Sequence, residues 1–355
     1  MCLIAWNWQP ESATPLLLLA NRDEFYARPA QALQWWDGGC ILAGKDLQAG
    51  GTWMGLTRTG RLAALTNYRD FSSASSPHAL RGDAPSRGEL VTAFLNSDMP
   101  ALAFLQRLAG RADRYSPFNL LVFDGTHLLG LQSRGAQIVE MQPGIGAVSN
   151  ADFHSPWPKL TWLSDQLENH VNGGTSTSAG CNGAHDGALE DAAGEAGDPA
   201  NDQVRDQAGD QAGDQAGYGV NVETLLSLLK NEAIAPDDAL PQTGLPLARE
   251  RALSAAFITS PEYGTRACSV VRIARTHAHF VERSFDSNGL LATQEYAFSL
   301  SPAGAAAKVS AKPDAIAGSM AGVVAGSVAE SKAESTAVSM ANSRAASNGE
   351  HDNIR

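Results

Sequence analysis

The chain has 355 residues and a formal net charge of −12, from 26 Lys and Arg against 38 Asp and Glu. No basic stripe accompanies this acidic balance, so we expect no nucleic-acid partner. Residues 172–217 hold nine acids against Arg205 alone, and residues 301–355 are mostly Ala, Ser, Gly and Lys without aromatics. Neither segment can bury enough apolar surface to offset its ordering entropy. We therefore predict one domain over residues 1–300, with a disordered insert at about 172–217 and a disordered tail at 301–355.

The first residues of the chain include no positively charged region, and Asn7, Pro10 and Glu11 interrupt their apolar pattern. We therefore expect neither a signal peptide nor a membrane span. The cysteines are widely separated and the histidines lack metal-ligand spacing, so the sequence predicts no disulfide framework, metal site or cofactor. Without an export signal, the expected location is cytoplasmic, where a free thiol stays reduced.

Two short apolar runs open the chain, at residues Cys2–Trp8 and residues 15–20. The polar residues between them can turn the chain, so the runs predict a strand pair that opens a sheet. The Asn-Arg-Asp-Glu segment at residues 21–24 is then expected to leave the end of the second strand. Antiparallel pairing of the two strands brings Arg22 and Asp23 beside Cys2.

The remaining pattern predicts segregated strands and helices. A hairpin is expected at residues 50–67 around a turn at 58–60, and helices are expected from residues 87, 101, 156 and 222. Further strands are expected at residues 119–125, 128–131, 137–141, 146–149, 257–259, 265–273, 279–285 and 293–300. The absence of regular alternation between strand and helix favours an α+β fold with antiparallel sheets and helices outside.

Cys2 becomes the first residue once the initiator methionine is removed, as is normal before small residues. Its thiol and a free α-amine are then attached to one carbon. The amine has a pKa of roughly 7.7 to 8.0 and the thiol about 8.5, so near neutral pH the amine can accept the thiol proton and leave a nucleophile. The alternative interpretation is structural, because free cysteine is among the most buried residue types.

Polar residues near the predicted strand ends suit acyl transfer. Asn67 and Asn150 each follow a predicted strand, and their amides can stabilise the oxyanion formed when a thiolate attacks a carbonyl. Asp23 can hold the α-ammonium and Arg22 the thiolate by charge-assisted bonds, and Arg266 is a second candidate cation. The structural alternatives are that the Asn and Asp residues form turns and that the arginines make weak surface ion pairs.

Several blocks of residues occur in the order seen in the NRDE family, which takes its name from the Asn-Arg-Asp-Glu motif. The blocks are Met1-Cys2-Leu3-Ile4, Ala20-Asn21-Arg22-Asp23-Glu24-Phe25 with Arg28-Pro29, Leu42-Ala43-Gly44-Lys45-Asp46 before Gly50-Gly51-Thr52-Trp53-Met54-Gly55, Leu65-Thr66-Asn67-Tyr68-Arg69, Ser149-Asn150 with Pro156-Trp157-Pro158-Lys159, and Tyr263-Gly264-Thr265-Arg266. The resemblance covers about residues 1–170 and 220–300.

The NRDE family resembles N-terminal-nucleophile hydrolases, and it is especially similar to bile-salt hydrolases and penicillin V acylases. This resemblance implies a four-layer αββα sandwich, with two stacked antiparallel sheets between helix layers. In those enzymes a processed cysteine is the nucleophile, an Arg and an Asp assist it, and asparagines supply the oxyanion hole. By position along the chain, the resemblance assigns catalytic roles to Cys2, Arg22, Asp23, Asn67, Asn150 and Arg266.

Three functional hypotheses follow. The first is an N-terminal-cysteine amidohydrolase or acyl-transfer enzyme that acts on an amide or thioester through an acyl-enzyme at Cys2. The second, implied by the family's links to lipid and acyl-CoA metabolism and to haem mobilisation, is a non-catalytic protein that binds and transfers haem, acyl-CoA or lipid. In the third, the cleft is vestigial and the protein acts through partners. The expected ligand is thus a small-molecule amide, acyl-CoA or haem, and the sequence leaves the oligomeric state open.

Overall fold

The computed structural model describes residues 2–69, 84–173 and 220–301. The predicted insert and tail therefore lie outside the described residues, except for their first one or two positions. Every pairing between strands in the described part is antiparallel, and the strands form two sheets.

The first sheet has six strands in the order β10-β1-β2-β11-β12-β13. Its strands are β1 (Cys2–Trp8), β2 (Leu16–Phe25), β10 (Gly144–Val148), β11 (Tyr263–Ile273), β12 (His277–Asp286) and β13 (Gly289–Ser299). The chain's first strand thus lies inside the sheet, between β2 and β10, which joins the sheet from the middle of the sequence.

The second sheet has seven strands in sequence order, from β3 to β9. Its strands are β3 (Ala30–Trp35), β4 (Ile41–Asp46), β5 (Met54–Thr57), β6 (Leu62–Asn67), β7 (Phe118–Phe123), β8 (Leu128–Gln132) and β9 (Gln137–Glu140). The predicted hairpin is confirmed as β5 and β6. Gly60, at its turn, has φ +80°, a conformation that glycine adopts without steric penalty.

The described helices are α1 (Gly88–Leu95), α2 (Ala101–Ala109), α3 (Pro158–Gly173), α4 (Val222–Leu228) and α5 (Leu247–Ser254). The first four confirm the predicted helices. None of the helices in the described ranges is long and apolar enough to cross a membrane.

Three apolar clusters define the layers. The central cluster joins alternate residues of the two sheets, including Ile4 and Leu18 from one and Leu56 from the other. A second cluster packs α3 and α4 on the outer face of the first sheet, and a third packs α1 and α2 on the outer face of the second. The order helix, sheet, sheet, helix confirms the predicted αββα sandwich. Burial of each large aliphatic side chain in these clusters contributes about 1.5–3 kcal/mol.

Strand β2 corrects the prediction that the Asn-Arg-Asp-Glu segment leaves the end of its strand. The strand continues to Phe25, so all four polar residues lie within it. Both faces of the sheet are covered here by protein, and Asn21, Arg22 and Asp23 are buried. Asn21 Nδ2 donates hydrogen bonds of 2.8 Å to two backbone carbonyls, of Leu229 and Ala256. The strand continues through these polar residues because its backbone pairs with β1 and β11 and because distant carbonyls accept the hydrogen bonds of the Asn21 amide.

Other differences concern polar segments. The sequence pattern did not predict β3, β4 or α5. The apolar residues of these elements do not recur with the regular spacing of a strand or a helix. The strand predicted at residues 257–259 is wrong, because only one isolated bridge forms there, between Thr259 and Gly264.

Candidate active site

The register of β1 and β2 places Cys2 directly opposite Arg22. Side chains alternate between the two faces of a strand. Cys2 therefore shares the face of Ile4, which points into the central core, whereas Leu3 points to the helix layer. By the same alternation, Arg22 lies on the face of Cys2 and Asp23 on the helix side. The predicted proximity of Arg22 to Cys2 is confirmed.

Cys2 opens into a cavity of about 560 Å³ at the edge of the space between the two sheets. Arg22, Asp23, Asn67 and Arg266 also border this cavity, so it gathers five of the six predicted site residues. Cavities of this size hold small-molecule ligands in many proteins.

The Cys2 side chain is 6% exposed, and its backbone carbonyl accepts a hydrogen bond of 2.8 Å from Ser149 Oγ. Burial raises the pKa of the Cys2 thiol, Asp23 adds to the increase, and the nearby Arg22 guanidinium opposes it. Burial at the end of this strand therefore disfavours the thiolate.

Asp23 is buried on the helix side of β2, where its Oδ1 accepts a hydrogen bond of 2.8 Å from Thr265 Oγ1. Burial raises the pKa of Asp23, and the positive charge of Lys159 on α3 is the largest influence that lowers it. Lys159 is itself 5% exposed and donates a hydrogen bond of 3.1 Å to the Leu253 carbonyl. Burial lowers the pKa of Lys159 to about 8, although Asp23 and Cys2 act to raise it. The buried, positively charged Lys159 therefore lies near the carboxylate of Asp23 on the helix side of the first sheet.

Asn67 and Asn150 meet through a hydrogen bond of 2.8 Å from Asn150 Nδ2 to the Asn67 carbonyl. Asn67 is the last residue of β6 and borders the cavity, while Asn150 is fully buried and lies outside the residues that line it. Ser149 Oγ also lies 3.1 Å from Asn150 Oδ1, and its hydroxyl bonds the Cys2 carbonyl. Asn150 thus connects β1, through the Ser149 hydroxyl that bonds the Cys2 carbonyl, to Asn67, which borders the cavity.

Arg266 occupies a bulge in β11, where the register with β2 shifts between Thr265 and Ala267. Its guanidinium donates hydrogen bonds of 2.9–3.2 Å to four backbone carbonyls, which belong to Phe285, Phe25, Tyr26 and Arg28. These bonds hold the chain that follows β2 against the first sheet.

Two acids balance the arginines on the cavity wall. Arg22 Nη2 lies 3.9 Å from both Glu24 Oε2 and Asp46 Oδ2, and Arg28 Nε lies 2.6 Å from Asp46 Oδ2. Asp46 also accepts backbone hydrogen bonds in the turn after β4. Its pKa is lowered by the hydrogen bond from Arg28, against the opposite effect of burial.

Glu282 is a buried carboxylate on the same wall. Its Oε1 accepts a hydrogen bond of 2.9 Å from the Leu33 amide, and its Oε2 lies 3.3 Å from Ser269 Oγ. Burial raises the pKa of Glu282, and Arg22 opposes the rise. Because Leu33 belongs to β3, this carboxylate links the two sheets beside Arg22.

Sequence reasoning did not assign roles to Lys159, Arg87 or Glu282. Lys159 lies in a block shared with the NRDE family, which is the signal that points to it. Arg87 and Glu282 carry no comparable signal, because only the folded chain brings them to the cavity. Within the described ranges, no group of three or more His, Cys, Asp or Glu side chains is placed to hold a metal ion.

Fold and site together define an αββα protein whose N-terminal strand presents a cysteine to a charged cleft between two sheets. The family model for Transport and Golgi organisation 2 matches residues 1–287, and the chain belongs to that family. This confirms the resemblance to the NRDE family, which includes the homologues of transport and Golgi organisation protein 2.

Relatives from mammals match most of the chain. The transport and Golgi organization protein 2 homolog of Bos taurus is 32% identical over 302 residues, which cover 80% of this chain and 93% of the relative. The Homo sapiens homolog is 31% identical over 322 residues, which cover 84% of this chain and 99% of the relative.

Two solved structures are similar to the chain at low identity. One is the C2A mutant of the conjugated bile acid hydrolase from Clostridium perfringens, with 9% identity, a TM-score of 0.35 and coverage of 84% of this chain and 92% of that chain. The other is the N-acylethanolamine-hydrolyzing acid amidase ortholog from Caenorhabditis elegans, with 10% identity, a TM-score of 0.28 and coverage of 48% and 79% respectively. Because both TM-scores lie below 0.5, the assignment of the αββα layer order rests on the strand register and the core clusters alone.

Proposed function

We propose that the protein is an N-terminal-cysteine hydrolase or acyl-transfer enzyme, acting on an amide or thioester through an acyl-enzyme at Cys2. The observation that carries this proposal is the place of Cys2. It is the first residue of β1, it faces a cavity of about 560 Å³, and Arg22 lies opposite it on the paired strand.

The reaction begins with removal of Met1, which leaves the α-amine on Cys2. This amine accepts the thiol proton, and the thiolate sulfur attacks the substrate carbonyl to form a tetrahedral oxyanion. When the oxyanion collapses, the carbon–nitrogen or carbon–sulfur bond breaks, and the leaving amine or thiol takes the proton. Water, or another acceptor, then attacks the thioester and releases the acyl group.

Each predicted residue has a role in this scheme. Asn67, which borders the cavity, donates its side-chain amide to the oxyanion, and Asn150 positions it through the bond to its carbonyl. Arg22 stabilises the thiolate, and Asp23 stabilises the α-ammonium that forms when the proton moves. Arg266 positions the chain after β2 through its four carbonyl contacts.

The burial of the Cys2 thiol is consistent with a mechanism in which proton transfer precedes attack on the substrate carbonyl. Burial raises the pKa of the Cys2 thiol, so forming the thiolate requires a base next to it. In the proposed mechanism the α-amine, which is bonded to the same Cα as the thiol side chain, supplies that base. We expect the reaction to take place in the cytoplasm, where Cys2 stays reduced.

Mass spectrometry of the intact protein and its N-terminal peptide tests the proposal. After incubation with a panel of amides and acyl thioesters, we expect loss of Met1 and an acyl adduct on Cys2. Cys2→Ala retains a small residue after the methionine but forms no adduct. Cys40→Ala, which removes an exposed cysteine, is the matched control and keeps the adduct. An intact Met1, or an adduct that persists in Cys2→Ala, would overturn the mechanism.

The second candidate is a protein that binds haem, acyl-CoA or lipid in the same cleft without turnover. The observation that favours it is the burial of Cys2, which is 6% exposed, since burial disfavours the nucleophilic thiolate. On this alternative, a Cys2→Ser variant binds the ligand with unchanged affinity, measured by titration calorimetry, and neither form yields product. A product formed by the wild-type protein alone would exclude it.

A further inference from the structure

The cavity wall carries an excess of positive charge in an otherwise acidic protein. Among the described residues that line it, five are cations and four are carboxylates, whereas the whole chain has a net charge of −12. The cations are Arg22, Arg28, Lys45, Arg87 and Arg266, and the carboxylates are Asp23, Glu24, Asp46 and Glu282. The formal excess on the wall is one positive charge, which an anionic ligand would balance.

Most of these cations already have partners in the protein. Arg22 and Arg28 are paired with Asp46 and Glu24, and Arg266 is bonded to backbone carbonyls. Lys45 Nζ lies 5.0 Å from the centre of the Trp36 ring, in a cation–π contact.

Arg87 differs from the others. It is half-buried, and Nη1 donates a hydrogen bond of 3.0 Å to the Pro117 carbonyl. No described carboxylate forms an ion pair with it. Burial lowers the pKa of Arg87, and a thiolate at Cys2 and the carboxylate of Glu24 act in the opposite direction. Arg87 is therefore a charged side chain that borders the same cavity as the thiol and forms no ion pair with a carboxylate in the described ranges.

The backbone holds Arg87 in place. It directly precedes α1, and Gly51 and Gly88 approach so closely that a Cβ on Gly51 would lie 2.7 Å from the Gly88 carbonyl carbon. This close approach packs the start of α1 against the segment between β4 and β5, whose Gly51 also borders the cavity. The bond to the Pro117 carbonyl restricts the guanidinium, and its remaining N–H groups can donate to a carboxylate or phosphate.

We propose that Arg87 binds an anionic group of the substrate, a carboxylate or phosphate close to the carbonyl that Cys2 attacks. The inference rests on the proposed function, because it names the class of substrate that the same cleft accepts: an acyl compound with a negative charge near the scissile bond. Arg87 then determines specificity, and it orients the substrate carbonyl towards the thiol.

Alkylation of Cys2 by small probes of different charge tests the inference without any turnover. In each reaction the thiolate sulfur forms a bond to carbon and iodide leaves. Iodoacetate carries a negative charge and iodoacetamide is neutral but otherwise similar. The quantity measured is the ratio of the two rate constants at Cys2, read by mass spectrometry and compared with the same ratio for a free cysteine peptide.

We expect the ratio of iodoacetate to iodoacetamide rates to be roughly tenfold higher in the wild-type protein than in the peptide, and to fall as salt is raised. Arg87→Gln should remove this preference and Arg87→Lys should retain part of it. Arg107→Gln, which deletes an exposed cation on α2 outside the cavity, should leave the ratio unchanged. If Arg87→Gln slows both probes by the same factor, Arg87 acts only on the thiolate and the inference is wrong.

The wild-type protein keeps the test decisive even if Arg87→Gln does not fold. A wild-type ratio equal to that of the peptide, independent of salt, overturns the inference. Protection of Cys2 from iodoacetamide by inorganic phosphate or by succinate separates the two anions, and protection by neither counts against an anion subsite. A preference for iodoacetate without acyl adducts on Cys2 would support the anion subsite and reject the proposed function. Acyl adducts on Cys2 without that preference would support the proposed function and reject the anion subsite.

Discussion

Lys159 offers the sharpest test of the electrostatics behind Cys2. The side chain is 5% exposed, and burial lowers its pKa from the usual 10.5 to about 8. Methionine has a similar length and no charge, so Lys159→Met removes the buried cation with little change in packing. The pH dependence of its stability, compared with that of the wild type, reports the free energy of burying this charge beside Asp23.

The sign of the effect follows from the two pKa values. Below pH 8, Lys159 is protonated in both the folded and the unfolded chain, and the folded state carries the full desolvation penalty. Between pH 8 and 10.5 the unfolded chain binds more protons, so the free energy of unfolding of the wild-type protein rises with pH. The rise is at most ~1.4 kcal/mol per pH unit, or ~3 kcal/mol over the whole window. Lys159→Met lacks this contribution.

Urea unfolding at several pH values between 7 and 10.5 measures the difference. We expect the free energy of unfolding of the wild-type protein, minus that of Lys159→Met, to increase by about 3 kcal/mol across the window. Lys230→Met, which removes an exposed lysine after α4, is the matched control and should show no such increase. A difference that stays constant with pH would mean that Lys159 keeps an ordinary pKa, and that Asp23 fully compensates its burial.

Two further substitutions test the framework around the site. Asn21→Ala removes both hydrogen bonds that its amide donates to buried carbonyls at 2.8 Å, and it should destabilise the protein by ~2–4 kcal/mol in urea unfolding; a loss below 1 kcal/mol would contradict its role as a tether. Gly51→Ala places a Cβ 2.7 Å from the Gly88 carbonyl carbon. We expect this contact to lower the free energy of unfolding by ~1–3 kcal/mol. We also expect it to reduce the preference of Cys2 for iodoacetate, because it displaces the start of α1. Gly110→Ala, where the nearest atom lies 3.9 Å away, is its control, and equal melting temperatures for the two variants would refute the reasoning.

Much of the fold is predictable from local patterns. A continuous apolar run marks β1, a turn signal marks the β5–β6 hairpin and helical spacing marks α1 to α4, and the structure confirms each of them. Apolar runs, turn residues and helical periods are local signals that a sequence carries clearly. The layer order came from the NRDE resemblance rather than from these patterns.

The missed elements share a physical cause. β3, β4 and the second half of β2 contain polar and charged residues that are stabilised by partners distant in the chain. Asn21 bonds the segments before and after α5, and Leu33 of β3 donates to Glu282 of β12. Local propensity does not contain these partners, so a pattern-based prediction ends the strand too early or omits it.

By itself, the sequence determined the chemistry that is available: a cysteine that methionine removal would make N-terminal, followed in the chain by arginine, aspartate and asparagine residues. Only the tertiary structure decided how these groups are arranged. The register of β1 with β2 sets Arg22 beside Cys2, and the alternation of side chains turns the adjacent Asp23 to the opposite face, where Lys159 of α3 lies behind it. The reason is that such groups are separated by many residues, and only strand pairing and layer packing bring them together.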